Sequence, residues 1–452
     1  MRLIVNPNTI IFSFLGNQKV VCDSEYVKPF FCHVIKSEGK YLVFNSLNKA
    51  LVELDDYEEN IIFNDNSLGT EKFLIENYFY VSKEFDQFAI CTQIKTLMQN
   101  FKTNSKISKF DIFPTTDCNA RCFYCFEHGS KRYSMTDSTA KDVAEYIYNK
   151  SDKSKVTINW FGGEPLYNMN AIDIICKYLK ERNVDFHSTM ITNGYLLDAD
   201  VVEKAKNLWK LDSLQISLDG TEEVYNKTKA YIYKNDPSPF KRVINNIKIL
   251  LNASIKVHIR LNVSAQNIED LFKLVDVICE EIGSNKRINV YTWLLYDNRG
   301  VSAKTKTVDE RHFLLDSMNR LNEYISSKGL SKSSSLDDKF RTVSCMADDD
   351  THITILPNGN IGKCDHHLDD EYIGSIYKND FDKSKIAEWK VQRKSIPLCR
   401  TCPLFMECRI LDKCPDAISK QCDVFEQKLR FCTLEKQMIH TYKKFKLEKG
   451  ND

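Results

Sequence analysis

The stretch KFDIFPTTDCNARCFYC, residues 109–125, decides how this chain is interpreted. Its apolar first half predicts a β-strand, and three cysteines follow with the spacing C-x3-C-x2-C, namely Cys118, Cys122 and Cys125. Three thiolates close together suit a soft metal centre. A four-iron cluster held by only three cysteines keeps one iron free of protein ligands, and an open position is what a catalytic metal needs. A zinc site completed by His128 is the alternative.

Outward from this stretch, short β-branched runs alternate with longer amphipathic segments. The strand candidates are 109–115, 156–161, 188–192, 214–219, 257–263 and 288–295. Helical periodicity lies between them over 136–150, 171–182, 199–209, 239–251 and 268–282. Strand-then-helix repetition predicts a parallel sheet with helices outside, and these units predict a partial (β/α)6 barrel, an α/β fold. Such a barrel has its reactive site at the C-terminal ends of the strands, where the cysteine loop lies.

Composition restricts the class of protein. The chain has 452 residues, with 63 Lys and Arg against 62 Asp and Glu and a formal net charge of +1. Nothing in that balance favours binding to nucleic acid or to an acidic membrane. No apolar run approaches the roughly 18 residues of a membrane span, and the N-terminus does not resemble a secretory signal. We therefore expect a cytoplasmic protein whose 16 cysteines stay reduced.

A second group of cysteines lies in the last quarter of the chain: Cys345, Cys364, Cys399, Cys402, Cys408, Cys414, Cys422 and Cys432. From Cys399 to Cys414 the spacing is C-x2-C-x5-C-x5-C. In a reducing compartment, thiolates grouped in this way favour metal ligation over disulfides. Structural zinc is the alternative to iron–sulfur clusters, because spacing alone does not decide between them. The other five cysteines, at positions 22, 32, 91, 176 and 279, are expected to be buried thiols.

The first cysteine motif, with Tyr124 directly before its third cysteine, resembles the signature of the radical S-adenosylmethionine superfamily. WFGGEPL (160–166) matches the family's GGE motif, ITNG (191–194) ends the third predicted strand and QISLDG (215–220) ends the fourth. The resemblance implies a [4Fe–4S] cluster on Cys118, Cys122 and Cys125 and bound S-adenosylmethionine. Reductive cleavage of that cofactor gives a 5′-deoxyadenosyl radical, which abstracts hydrogen from a substrate. The residues implied in cofactor binding are Tyr124, Gly162, Gly163, Glu164, Asn193, Ser217 and Lys229.

Several of these implied contacts have a physical reason. Glycines let a backbone approach a ligand closely, and the carboxylate of Glu164 can pair with the ammonium of the methionyl group. By the resemblance, Ser217 contacts the ribose. Lys229 stands where the family often has an arginine near the cofactor carboxylate, and a lysine supplies charge without a two-pronged clamp. The sequence identifies no catalytic acid or base.

The second cysteine group resembles the SPASM extension of this superfamily, which holds two auxiliary iron–sulfur clusters, here expected to be of the [4Fe–4S] type. By that resemblance, the nearer cluster is bound by Cys345, Cys364 and Cys414. The outer cluster is bound by Cys399, Cys402 and Cys408 and completed by Cys422 or Cys432.

The resemblance divides the chain into an N-terminal winged-helix-like α+β module (1–100), the partial barrel (101–325), a linker (326–344) and the SPASM domain (345–452). Relatives that modify ribosomally made peptides carry a leader-recognition element of similar size, which binds a leader by adding a strand to a sheet edge. The segment YLVFNSLNKALVELDD (41–56) is close to their opening phrase and predicts a strand, then a helix from near Ser46. A packing cap for the barrel is the alternative for this module.

Together these features predict an oxygen-sensitive radical enzyme that modifies a ribosomally made precursor peptide by hydrogen abstraction. The expected product is a Cys thioether cross-link of the sactipeptide or ranthipeptide type. The expected partners are the precursor peptide with its leader segment and an electron donor such as flavodoxin or ferredoxin. The alternatives are formylglycine formation of the sulfatase-maturase kind, carbon–carbon or carbon–oxygen cross-linking of side chains, and a non-enzymatic zinc-binding module.

Overall fold

The computed structural model describes most of the chain, with gaps mainly in its N-terminal and cysteine-rich C-terminal parts. The described residues are 2–16, 25–54, 72–100, 106–127, 129–295, 308–332, 334–337, 339, 343, 345–366, 371–378, 380–391, 397–408, 411–414 and 424–449. Cys22, His128 and Cys422 lie outside them. No helix within these ranges combines the length and the apolar character needed to cross a membrane.

The N-terminal part is an α+β module. In chain order its elements are β1 (Arg2–Val5), α1 (Ile10–Leu15), β2 (Tyr26–Val27), β3 (Cys32–Ser37), β4 (Lys40–Asn45), β5 (Leu51–Glu53), α2 (Lys72–Glu76), β6 (Val81–Ser82) and α3 (Gln87–Asn100). Four strands form an antiparallel sheet of order β1-β5-β4-β3, beside the short β2–β6 pair. The edge strands of the larger sheet are therefore β1 and β3.

The predicted helix from Ser46 is wrong, because β4 turns directly into β5 there. Asn45 Oδ1 accepts the backbone N–H groups of Leu47 (2.9 Å) and Asn48 (3.3 Å). The N–H of Lys49 then donates to the carbonyl of Asn45 at 2.8 Å. Short polar side chains that bond nearby backbone groups favour turns over helices, so the residues interpreted as a helix cap close a hairpin.

Six parallel strands follow one another in chain order across the largest sheet. They are β7 (Lys109–Ile112), β8 (Val156–Trp160), β9 (Phe186–Thr192), β10 (Leu211–Leu218), β11 (Lys256–Val263) and β12 (Ile288–Leu294). The helices that follow them are α4 (Asp137–Lys150), α5 (Met169–Glu181), α6 (Ala199–Asn207), α7 (Glu222–Lys229), α8 (Pro239–Asn252), α9 (Ile268–Glu281) and α10 (Val308–Ser327). The predicted partial barrel of alternating strands and helices is confirmed.

The sequence pattern explains these elements. Along β9 buried and half-buried residues alternate, so one face packs on helices and the other lines the barrel interior. Helix α5 buries a stripe at helical spacing, which includes Ile172, Ile175 and Leu179. Helix α7 has only two buried side chains, Tyr225 and Lys229. The apolar periodicity of this segment is therefore too weak to predict a helix from the sequence.

The large sheet continues past β7 into the C-terminal region. Strand β13 (His352–Ile355) pairs parallel with β7, and β14 (Asn360–Gly362) and β15 (Gly374–Ser375) extend it antiparallel, giving nine strands. The predicted linker 326–344 starts too early, because Leu330 is buried and its carbonyl accepts the N–H of Val290 on β12 at 2.8 Å. The barrel edge therefore includes the residues directly after α10.

Two helices, α11 (Lys383–Trp389) and α12 (Val424–Lys449), complete the C-terminal region. The charged pattern of α12 predicts a solvated helix, and one stripe of it departs from that expectation. Leu434, Met438 and Tyr442 are buried against the β4–β5 hairpin of the N-terminal module. Spaced four residues apart, they share one face of the helix. The N-terminal module thus packs on the C-terminal region.

Candidate active site

The three cysteines of the first motif lie on the loop that follows β7, at the C-terminal edge of the parallel strands. All three side chains are half-buried. Cys118 Sγ accepts the backbone N–H of Ala120 at 3.3 Å. Burial, together with neighbouring negative groups, raises the pKa of the Cys118 and Cys122 thiols. Because an isolated thiolate is disfavoured here, a cationic metal centre suits this donor set. The three thiols are therefore chemically suited to bind an iron–sulfur cluster.

The two glycines of the GGE motif lie against the backbone of the cysteine loop. A Cβ on Gly162 would lie 2.3 Å from the carbonyl oxygen of Thr115, and one on Gly163 would lie 2.3 Å from that of Asp117. Gly162 also has φ +122°, where L side chains are strained. The sequence predicts that these glycines let the backbone approach a ligand closely. In the structure, the backbone that lies close to both glycines is the segment leading into Cys118.

Glu164 joins the ends of β8 and β9. It is fully buried. Its carboxylate accepts the hydroxyl of Thr192 (2.7 Å) and the backbone N–H groups of Asn193 (2.7 Å) and Leu166 (3.1 Å). Burial raises the pKa of Glu164 to about 7. The predicted contact with a methionyl ammonium stays a prediction, and any such contact would add to bonds that the carboxylate already accepts.

Asn193, in the ITNG motif, faces the cysteine loop. Its side-chain Nδ2 donates to Asn119 Oδ1 at 2.7 Å and lies 3.8 Å from Cys118 Sγ. Its Oδ1 accepts the backbone N–H of Tyr195 at 3.0 Å. The ITNG and GGE motifs therefore meet the first cysteine motif at one edge of the sheet.

A buried ion pair lies beneath the loop, at the end of β10. Lys229 Nζ lies 2.9 Å from Asp219 Oδ2 and donates to Ser217 Oγ (2.6 Å) and the hydroxyl of Tyr124 (3.0 Å). That hydroxyl donates to Asp219 Oδ2 at 2.7 Å. Asn262 Nδ2 donates to Asp219 Oδ1 at 2.7 Å. The structure thus brings together Tyr124, Ser217 and Lys229, and it adds Asp219 and Asn262.

The ion pair of Lys229 and Asp219 could be identified only from the folded structure. Asp219 belongs to the quoted SLDG motif, but the resemblance assigned Lys229 to a cofactor carboxylate and not to Asp219. Asn262 lies on β11 and belongs to no motif. Only the parallel pairing of β10 with β11 puts it beside Asp219.

The predicted ligands of the nearer auxiliary cluster also converge. Cys345, Cys364 and Cys414 share a small apolar cluster that contains Trp389 and Leu411. Burial raises the pKa of Cys345 and Cys364, and the neighbouring thiols of the group add to the effect. This donor set, like the first, is chemically suited to a metal cluster.

His366 lies between the two cysteine groups. Its ring stacks on Phe126, directly after Cys125, with centroids 4.8 Å apart. Its Nδ1 lies 2.7 Å from Asp365 Oδ1, and the ligand atoms of Cys364, Asp365 and His366 lie within 4.8 Å of one another. No sequence signal linked His366 to the loop of the first motif.

The predicted ligands of the outer cluster lie in tight turns against the N-terminal module. Cys399 falls in the turn Pro397–Thr401, Cys402 directly follows that turn, and Cys408 directly follows the turn Phe405–Glu407. Cys432 Sγ is 3.6 Å from Asn319 Nδ2 on α10. With Cys422 outside the described residues, the choice between Cys422 and Cys432 as fourth ligand stays open.

A cavity of about 460 Å³ opens on the inner face of the barrel sheet. Its polar lining comes from β8 to β12: Asn159, Thr189, Ser213, Gln215, His258, Asn289 and Tyr291. Met190, Ile191 and Leu214 also line the cavity, so it offers both hydrogen bonds and apolar contacts to a ligand.

The comparisons with known proteins agree with this architecture. Residues 112–278 match the sequence profile of the Radical SAM superfamily. A probable GTP 3′,8-cyclase of Methanocaldococcus jannaschii is 30% identical over 186 residues, which cover 40% of this chain and 58% of the relative. The chain spans between 37% and 64% of the length of the curated relatives it matches.

Two solved structures share the fold. Native anSMEcpe with bound AdoMet and Cp18Cys peptide superposes with a TM-score of 0.55 at 16% identity, covering 76% of this chain and 99% of the other. Streptococcus suis SuiB bound to precursor peptide SuiA gives a TM-score of 0.51 at 18% identity, covering 89% of this chain and 97% of the other. At these identities the likeness concerns the fold.

Proposed function

We propose that the protein, whose residues 112–278 match the profile of the Radical SAM superfamily, is a radical S-adenosylmethionine enzyme that modifies a ribosomally made precursor peptide. The observation that carries the proposal is the convergence at one sheet edge of Cys118, Cys122 and Cys125 with the GGE, ITNG and SLDG motifs. This is the edge where a parallel barrel performs its chemistry.

The residues that would hold the cofactors follow from this placement. Cys118, Cys122 and Cys125 would hold a [4Fe–4S] cluster, and the edge formed by Gly162, Gly163, Glu164, Asn193 and Ser217 would hold S-adenosylmethionine. When bound, these groups supply one-electron reduction and hydrogen-atom abstraction; the protein supplies orientation and excludes water. Tyr124 and Lys229 fix the loop over β10. The ammonium of Lys229 already bonds to protein acceptors. It can therefore bind a cofactor carboxylate only if it loses one of these hydrogen bonds.

A peptide substrate is supported by the interior cavity, which offers polar and apolar contacts, and by the N-terminal sheet. Among the described strands of that sheet, β1 and β3 each pair on one side only, which is the arrangement that strand addition requires. The longer one, β3, is the proposed binding edge for a leader segment. The shared fold with SuiB, solved with its precursor peptide, supports the same substrate class. An electron donor such as flavodoxin or ferredoxin is proposed as the second partner, and the cytoplasm as the compartment.

The proposed product is a Cys thioether of the sactipeptide or ranthipeptide type. Forming one such bond removes a hydrogen atom from carbon and a proton from the thiol, and releases one electron from the peptide. Two auxiliary clusters on the second cysteine group would be suited to accept that electron. The convergence of Cys345, Cys364 and Cys414 supports the nearer of these sites.

The test is turnover of a peptide. Anaerobically reconstituted and reduced protein is incubated with S-adenosylmethionine and peptides encoded by neighbouring short reading frames, particularly cysteine-rich ones. We expect 5′-deoxyadenosine and a peptide lighter by two hydrogen atoms, with the cysteine no longer alkylated by iodoacetamide. A peptide lighter by two hydrogens with its cysteine still alkylated would favour carbon–carbon or carbon–oxygen cross-linking. Formylglycine in a sulfatase-derived peptide would favour the maturase alternative, and zinc without iron would overturn the proposal.

A further inference from the structure

The five residues between Cys402 and Cys408, here called the outer loop (403–407), are held by the N-terminal module. The carbonyl of Pro403 accepts the hydroxyl of Ser46 at 2.7 Å. Leu404 packs with the β4–β5 hairpin, and Phe405 and Met406 pack in the core of the module. Consecutive residues of the loop therefore contact a part of the chain more than 300 residues away.

The last residue of the outer loop forms an ion pair with the module. Glu407 Oε1 accepts a hydrogen bond from the ammonium of Lys49. Lys49 is buried, and its backbone has φ +68°. Residues other than glycine rarely adopt this left-handed conformation. The turn thus carries a buried lysine at a position where glycine would cost less. The ion pair offsets the cost of burying that ammonium.

A second lysine of the module binds the backbone of the loop. Lys95 Nζ on α3 donates to the carbonyls of Phe405 (2.8 Å) and Cys408 (3.0 Å), and it lies 4.8 Å from the centre of the Phe405 ring. The ring itself packs against Phe88 and Phe30, with centroids 4.9 and 6.5 Å away. One of the carbonyls held by Lys95 belongs to a predicted ligand, so the lysine fixes the backbone that carries a thiol.

From these contacts we infer that the N-terminal module positions the outer cluster, with Lys49 and Lys95 as its positioning residues. The inference rests on the proposed function, in which Cys399, Cys402 and Cys408 bind that cluster. The module then has a second role besides leader binding, because a peptide bound to its sheet and a cluster bound to its loop would share one packed unit. Replacing a residue that orients a metal ligand typically lowers the affinity for the metal by roughly 10- to 100-fold.

Iron release from the full-length reconstituted protein tests the inference. Release to a chelator is followed by absorbance, and the C399A/C402A variant identifies the phase that belongs to the outer cluster. We expect Lys49→Met and Lys95→Met to accelerate this phase roughly 10-fold and to leave the other phases unchanged. The charge-swapped K49E/E407K variant and the conservative K95R variant should return the rate toward that of the unmodified protein.

The matched control is Lys83→Met, because Lys83 forms an exposed ion pair with Glu25 on the same module. It should leave every phase unchanged. An outer phase unaltered in both K49M and K95M would overturn the inference, as would equal acceleration of all phases without rescue by the swap, since that indicates general unfolding. If C399A/C402A retains as much iron as the unmodified protein, the proposed outer cluster itself is wrong and the inference falls with it.

Discussion

The ammonium of Lys229 has three N–H donors, and three protein oxygens lie within hydrogen-bond distance of it, on Tyr124, Ser217 and Asp219. The side chains of Lys229 and Asp219 are only 2% and 1% exposed, so neither charge is compensated by water. The backbone carbonyl of Lys229 also accepts the N–H of Arg121, inside the cysteine loop. These bonds anchor the loop to the end of β10.

Replacing Lys229 with methionine leaves the Asp219 carboxylate buried without its cation. We expect the free energy of unfolding to fall by about 3–5 kcal/mol, as for other broken buried pairs. The double variant K229M/D219N removes both charges and should recover part of the loss. Urea unfolding of the metal-free chains measures the effect. A K229M midpoint equal to that of the unmodified protein would contradict the importance of the pair.

Glu164 gives a second prediction at the residue scale, concerning pH. Its pKa rises from 4.5 to about 7 on folding because of burial, so the folded state holds the proton more tightly than the unfolded state. Stability from this group is therefore present at low pH and lost as pH rises from about 4.5 through 7. Glu164→Gln carries no charge, so the metal-free variant should lose less stability between pH 5 and about 8. Equal slopes in the two chains would count against the buried, protonated carboxyl.

At the scale of elements, the barrel was predictable because strands and helices repeat with clear periods. Each predicted barrel strand overlaps an observed one, and the cysteine loop lies where the pattern put it. Helix α7 was not predicted because its sequence, EEVYNKTK, is polar and shows no apolar stripe. The helix predicted from Ser46 failed because Asn45 and its neighbours bond their own backbone to form a turn. Periodicity predicts elements that bury a face, and it misses those set by local side-chain bonds.

The edge strand β3 carries a prediction about leader binding. Its partner β4 pairs Ser37 with Lys40 and Ile35 with Leu42 across the two-residue turn. In such an antiparallel ladder, hydrogen-bonded pairs alternate, so the N–H of Lys36 points away from β4. Proline there removes an outward donor while edge strands tolerate it. We expect Lys36→Pro to weaken binding of a leader peptide at least roughly 5-fold, the cost of about one hydrogen bond.

Lys36→Ala is the matched control, since it removes the side chain and retains the amide. Fluorescence anisotropy of a labelled leader measures both variants. Unchanged affinity in K36P would argue against strand addition at β3, whereas equal loss in both variants would assign the effect to the lysine side chain.

At the scale of the whole molecule, the contacts between distant segments were beyond the reach of the sequence. The pairing of β13 with β7 joins the barrel to the C-terminal region, and α12 packs on the N-terminal hairpin. His366 meets Phe126 although 240 residues separate them. Such contacts depend on tertiary packing, which leaves no periodic signal in a single sequence. The sequence could place Cys118, Cys122 and Cys125 on one loop because their spacing is local.

The most direct measurement of the central claim is reductive cleavage of S-adenosylmethionine by the reconstituted protein with and without the first cysteine motif. The unmodified protein, reduced with dithionite, should release 5′-deoxyadenosine and methionine. The C118A/C122A/C125A variant should release neither while retaining the iron of its C-terminal region. Cleavage that persists in this variant, or a lack of cleavage by the fully loaded unmodified protein, would contradict the account.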